Sequence, residues 1–285
     1  MRVSIGDVRL FFDIDGPKLV PSGAWMVERP TLLLLHPGPG FDHSVYKVQA
    51  GALLAEFAQV VYIDQRGHGR SDPSPTEELT LERWADDVRD FCDALGIERP
   101  VVLGHGFGAM VAATYGARHP DHASKLVLIN PAARVVTERS VDVYRRLGGA
   151  DAAAVIKRFR EDPNEETFAH FLRYCFPLVS NYELTAELSV RADWRPDILM
   201  HWHRAIAPAT DLTAVLGSIR APTFVVAGED DPEMTLEGAK DVVAALPSDV
   251  ITFKSYPRAR HAVFRDATQA YWDVRAFVLG EEVAA

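Results

Sequence analysis

The chain has 285 residues, 48% of them apolar, which suffices for the buried core of one large domain or of a domain carrying a sizeable insertion. Thirty Lys and Arg stand against forty Asp and Glu, a formal net charge of -10. That charge repels nucleic acid and anionic membrane surfaces, so neither is an expected partner and a small neutral or cationic molecule fits better. Cys92 and Cys175 lie far apart with no metal-type spacing, which argues against a disulfide framework and suits a reducing, cytoplasmic compartment.

Met1 to Asp13 lacks the basic region, long apolar run and cleavage site of a secretory signal, and the longest aliphatic run, Leu32 to Leu35, is too short to span a bilayer. Val8 to Phe12 alternates as an outer strand does, Gly16 to Arg29 is turn-rich, and Thr31 to Leu35 is continuously apolar, the pattern of a strand covered on both faces. Val60 to Ile63, Val101 to Leu103, Leu126 to Ile129 and Phe224 to Ala227 are further short apolar runs that end in Gly, Asp or Asn. Between them, Leu81 to Leu95 carries one apolar stripe, with Thr80 as N-cap and Gly96 as terminator, and Ala109 to Arg118, Leu236 to Ala245 and Ala267 to Val278 are shorter helices. The alternation predicts an α/β fold with a mostly parallel, doubly wound sheet.

Strand signals vanish between about Pro131 and Gly217, where Ser140 to Leu147, Ala152 to Arg160 and Glu165 to Tyr174 follow one another as helices. Residues 1–131 and 218–285 are therefore expected to form the core and 132–217 a helical lid. Ligands of open α/β sheets bind beyond the carboxyl ends of the strands, the edge over which such an insertion sits.

Three segments carry chemistry. Val101-Val102-Leu103-Gly104-His105-Gly106-Phe107-Gly108-Ala109 reads as strand, sharp turn and helix start, and it matches G-x-S-x-G at every position but the serine, where Gly106 stands. Asp231, directly after a strand, and His261, after the strand Val250 to Phe253, follow in the order acid then base, with Asp230 the competitor for the acid. His36-Pro37-Gly38-Pro39-Gly40 follows the strand Thr31 to Leu35, and the amides of Gly38 and Phe107 are the expected oxyanion donors, since Pro37 and Pro39 have none to give. Among substrate contacts, His105, Glu233, Trp194 and Trp202 are singled out, the tryptophans because their flanks are polar. His201 and His203 fall on different faces of a helix with no third ligand, so no metal is expected, and nothing calls for a cofactor.

These pieces, with Asp64-Gln65-Arg66-Gly67-His68-Gly69-Arg70-Ser71, extend over nearly the whole core, and the chain resembles the α/β-hydrolase superfamily, most closely its proline iminopeptidase-like branch. The resemblance implies the α/β-hydrolase fold with a helical lid. It makes Gly106 the nucleophile position, with Asp231 and His261 as the other triad members, and Asp64 to Ser71 a structural turn. Pro37 departs from the usual second glycine of the oxyanion loop. Gly106 departs from serine, which removes acyl-enzyme chemistry and costs on the order of 10⁶ in turnover. Three explanations arise: a serine-to-glycine replacement of the kind made to trap substrate in an otherwise intact hydrolase, favoured because every supporting feature survives; a natural enzyme in which His261 and Asp231 act on water directly; and a non-catalytic small-molecule binder. The expected activity is hydrolysis of a small hydrophobic ester, lactone or amide, with an N-terminal aminopeptidase as the alternative, by a monomer or homodimer.

Overall fold

A computed structural model describes residues 1–182 and 190–283. Eight strands form one sheet in the order β1 (Arg2–Ile5), β2 (Val8–Asp15), β6 (Gln59–Ile63), β5 (Thr31–Leu35), β7 (Val101–His105), β8 (Lys125–Ile129), β9 (Thr223–Gly228) and β10 (Ile251–Tyr256). The pairs β1/β2 and β2/β6 are antiparallel, and every pairing from β6 to β10 is parallel. All residues of β5, β7 and β9 are buried. Their uninterrupted apolar runs require that, because each face of the sheet carries its own layer.

Alternate side chains separate into two cores. Leu33 and Leu35 of β5, with Val61, Val102 and Leu128, pack against the helices Leu81–Leu95, Phe107–Arg118 and Leu236–Ala245. Leu32 and Leu34, with Val60, Leu103 and Val127, pack against the helix Gln269–Leu279. A slip of one residue would exchange the two sets, so the pattern of β5 also sets its register, Leu33 opposite Val61 and Val102. The helix Leu81–Leu95 begins where Thr80 accepts from the amide of Arg83 and ends where Gly96 turns left-handed.

The turn-rich segment holds a short hairpin, β3 (Leu19–Ser22) with β4 (Trp25–Glu28), and β1 was likewise not expected. Both escape the apolar pattern for one reason. The hairpin packs little, with Trp25 77% exposed, and β1 is a mostly exposed edge strand, so neither presents a continuous buried run. Between β8 and β9 the regular elements of the described residues are helices, and the two expected over 140–160 are both present within Thr137–Glu161, separated by a kink at Gly149, whose φ of 77° and ψ of -166° are non-helical. No helix among the described residues is long and apolar enough to cross a membrane.

The close approach of β7, its following helix and β5 rests on absent side chains. A Cβ on Gly104 would collide with the Gly108 carbonyl and lie 2.7 Å from the Ala109 nitrogen, and one on Gly108 would meet the Leu35 carbonyl and lie 2.6 Å from that of His36. These obstacles are backbone and cannot rotate away. Gly108→Ala is therefore expected to lower stability by at least the ~1–3 kcal/mol of ordinary overpacking, as a shift of the urea midpoint at unchanged slope. An unshifted midpoint would show that helix and strand can separate freely.

Candidate active site

The strand β7 delivers His105 and Gly106 to the carboxyl edge of the sheet, and the helix Phe107–Arg118 starts at once. Gly106 stands at φ 54° and ψ -114°, a conformation hostile to a side chain. Its amide donates to the Ile129 carbonyl at 2.9 Å, tying the turn to the end of β8.

Asp231 follows β9 and His261 follows β10. The fully buried Asp231 carboxylate accepts from Nδ1 of His261 at 2.7 Å and from the amides of Glu233 and Met234 at 2.8 and 3.0 Å. Asp230 is turned elsewhere, to Arg146. Burial works to lower the pKa of His261, but the charge and hydrogen bond of Asp231, helped by Glu233 and Asp266, carry it above the usual imidazole value.

The backbone of His261 is clamped as well. Its carbonyl accepts from Nε2 of His105 at 2.9 Å and from Nδ2 of Asn130 at 2.8 Å, while Oδ1 of Asn130 accepts from the Gly228 amide at 2.8 Å. A carbonyl can only accept, so His105 carries its proton on Nε2 and leaves Nδ1 bare; that atom is buried with no partner among the described residues. Burial, and then the neighbouring His261, push the His105 pKa well down, so the ring is neutral. It lines the cavity but spends its donor on His261. Asn130 was missed in the sequence. Its one signal was a polar residue at a strand end, where its φ of 46° is one that Asn tolerates better than most residues.

The imidazole lies close to Gly106. A Cβ there would lie 2.9 Å from both Cε1 and Nε2 of His261, nearer than side-chain carbons approach in practice. Nε2 itself has no hydrogen-bond partner among the described residues, so it faces the space beside the elbow with its nitrogen uncommitted.

The loop after β5 is held by His36, whose Nδ1 donates to the Pro37 carbonyl at 2.7 Å while Nε2 accepts from the Gln65 amide at 3.2 Å. The amides of Gly38 and Phe107 donate to no other group among the described residues. The Phe107 amide opens the elbow helix, where main-chain donors are unsatisfied by construction. Its ring packs away from the cavity, between Trp84 and Trp202. Asp64 accepts from His43 and Arg66 is buried against Asp87, structural pairings that brace the wall.

Gly38, His105, Trp194, Trp202, Glu233 and His261 all line one cavity of about 150 Å³, otherwise mostly aromatic and aliphatic. Trp194 stacks obliquely on Phe41, with ring centroids 4.1 Å apart, and Trp202 is buried against Phe107. Glu233 is not free: Arg160 donates to one oxygen at 2.8 Å and the Tyr144 hydroxyl to the other. Arg160 was not singled out in the sequence, because an arginine in the last turn of a helix reads as a solvated charge.

Residues 30–268 match the family model for the alpha/beta hydrolase fold. A monoacylglycerol lipase of Mycolicibacterium smegmatis is 25% identical over 93% of this chain and 90% of its own length, and 3-oxoadipate enol-lactonase 1 of Acinetobacter baylyi is 28% identical over 80% and 77%. The crystal structure of a proline iminopeptidase of Mycobacterium smegmatis superposes with a TM-score of 0.77 at 22% identity, covering 98% of this chain and 97% of that one, a likeness of fold.

Any side chain at position 106 must both adopt the strained φ and displace the His261 ring. Gly106→Ser is therefore expected to cost about 1–3 kcal/mol, seen as a lower melting temperature. A serine form as stable as the glycine form would mean that the turn is not strained.

Proposed function

The chain belongs to the alpha/beta hydrolase fold family, and on that premise we propose that it binds a small, largely apolar ester, lactone or amide at the cavity beside Gly106. It is a hydrolase scaffold in which glycine stands where the attacking serine would be. The observation that carries the reading is the His261 imidazole, oriented by Asp231 at Nδ1 and presenting an uncommitted Nε2 to Gly106. Residues 132–217 are the lid in this reading, and 1–131 with 218–285 the core.

In the serine form, Nε2 takes the hydroxyl proton as the oxygen attacks the carbonyl carbon, and the amides of Gly38 and Phe107 stabilise the oxyanion. The protonated His261 then gives its proton to the leaving oxygen or nitrogen. Water repeats the sequence on the acyl-enzyme. With Gly106 only the second half of this chemistry remains: His261 draws a proton from water, which attacks the bound carbonyl directly. Turnover by that route is slow, so the present chain is chiefly a binder of its substrate. All the supporting parts are retained, as a serine-to-glycine replacement in an intact hydrolase leaves them.

The aminopeptidase alternative needs a carboxylate free to receive a substrate ammonium. Glu233, which lines the cavity two residues after Asp231, has both oxygens engaged by Arg160 and Tyr144, which favours an uncharged substrate.

Gly106→Ser is expected to raise initial hydrolysis rates on a panel of nitrophenyl esters, lactones and aminoacyl nitroanilides by about 10⁴- to 10⁶-fold, with esters or lactones ahead of the anilides. No gain on any member would sink the reading and leave a binding protein. A base must be unprotonated to act, so the rate in the serine form falls as pH drops through the raised His261 pKa, with a midpoint above the ordinary ~6.5. Asp231→Asn removes the charge that opposes burial and should move that midpoint down; an upward move would contradict the assignment of the acid.

A further inference from the structure

The cavity has a polar corner that the proposed reaction leaves idle. Arg160 reaches it from the helix Thr137–Glu161 with a side chain only 6% exposed. Its Nη2 is committed to Glu233, but its Nε is buried with no hydrogen-bond partner among the described residues. His203, from Trp202–Ile206, lines the same cavity with its ring edge-on to Phe159 at 4.8 Å, and its Nδ1 is likewise buried and unpartnered. Burial, reinforced by the charge of Arg160, pushes the His203 pKa well down, so the ring is neutral.

A buried guanidinium N–H without an acceptor is a costly arrangement in a folded protein, and a ligand that supplies the acceptor recovers the cost on binding. The identity of the acceptor follows from charge. Arg160 and Glu233 cancel, so a carboxylate entering the corner would lose to Glu233 what it gained from Arg160, whereas an uncharged oxygen meets no such opposition. The oxyanion donors, Gly38 and Phe107, and His261 are separate groups already engaged in the reaction, so this oxygen is a second one on the substrate.

We propose that Arg160 and His203, with Glu233 holding the guanidinium in place, form a polar subsite that takes an uncharged keto or hydroxyl oxygen on the hydrocarbon part of the substrate. The proposal rests on the hydrolase reading and narrows its substrate to esters or lactones that carry a further oxygen.

Because turnover by the present chain is slow, it can be titrated by following the fluorescence of Trp194 and Trp202, which line the cavity. The probes are the methyl ester of hexanoic acid and its analogues bearing a keto group, a terminal hydroxyl or a terminal carboxylate. The keto or the hydroxyl ester is expected to bind about 10- to 100-fold more tightly than the plain ester, the range for a hydrogen bond to a charged donor. That ratio should fall to near one in Arg160→Met/Glu233→Met, which orphans no charge, and should shrink in Arg160→Lys, which keeps the charge but lacks Nε. Should the double variant not fold, the lysine variant and the native panel decide. Equal binding of plain and oxygenated esters overturns the subsite and leaves the hydrolase reading standing. Tightest binding of the carboxylate overturns it too, as does a preference that survives both variants. If none of the four esters binds, the ester pocket itself is refuted and the subsite with it.

Discussion

The turn at Gly106 is the constraint from which the rest of the site follows. A parallel strand can hand its last residue to the carboxyl edge of the sheet only if the chain reverses sharply there, and the helix that follows must then run back almost in contact with the strand. Gly104 and Gly108 permit that contact because the space a Cβ would need is already filled by main-chain atoms. The reversal fixes His105, Gly106 and the Phe107 amide at once: one side chain lining the cavity, one bare backbone against the His261 ring, and one unsatisfied N–H at the start of a helix. None of the three could be moved without moving the others, and His105 and Gly106 both meet His261 of the loop that follows β10.

That loop is held by two systems acting on one residue. Asp231 holds the His261 ring through Nδ1, while His105 and Asn130 hold its carbonyl. The carboxylate determines which nitrogen faces the cavity and favours the protonated ring; the two donors determine where the ring hangs. Asn130 reaches from the end of β8 to the Gly228 amide at the end of β9, so the acid strand and the histidine loop share one anchor. A short polar side chain at a strand end thus ties together two loops that lie 98 and 131 residues from it in the sequence.

Much of this was legible in the amino-acid sequence because it depends on periodicity and on backbone geometry. The continuous apolar run of β5, the stripe over Leu81–Leu95 with its Thr80 and Gly96 caps, and the glycines around Gly106 each obey a rule that needs no tertiary context. What escaped depends on packing. The hairpin Leu19–Glu28 leaves its apolar residues Leu19, Trp25, Met26 and Val27 exposed within a turn-rich segment, so no buried stripe announces it. Arg160 escaped for a different reason. Its charge reads as a solvated face until the structure buries it against Glu233, a residue 73 positions away that the sequence had marked only as an acid close to Asp231.

The glycine at the elbow trades two quantities of unequal size. Removing a side chain from a strained turn relieves about 1–3 kcal/mol, whereas the loss of about a factor of 10⁶ in turnover that the proposed reading assigns to Gly106 raises a barrier by about 8 kcal/mol. Stability alone is therefore a poor account of a site that otherwise keeps its whole arrangement. A buried carboxylate and imidazole held 2.7 Å apart contribute little net stability once their desolvation is counted, and an apolar pair of the same volume would serve a mere scaffold as well or better. In the proposed reading a bound carbonyl is what completes the dyad, its backbone clamp and the two free amides. The same logic applies to the corner at Arg160, where a charged group with an idle donor is tolerated in an otherwise aromatic cavity. Polar atoms left unmatched inside a packed protein mark the places where something other than the protein completes the structure.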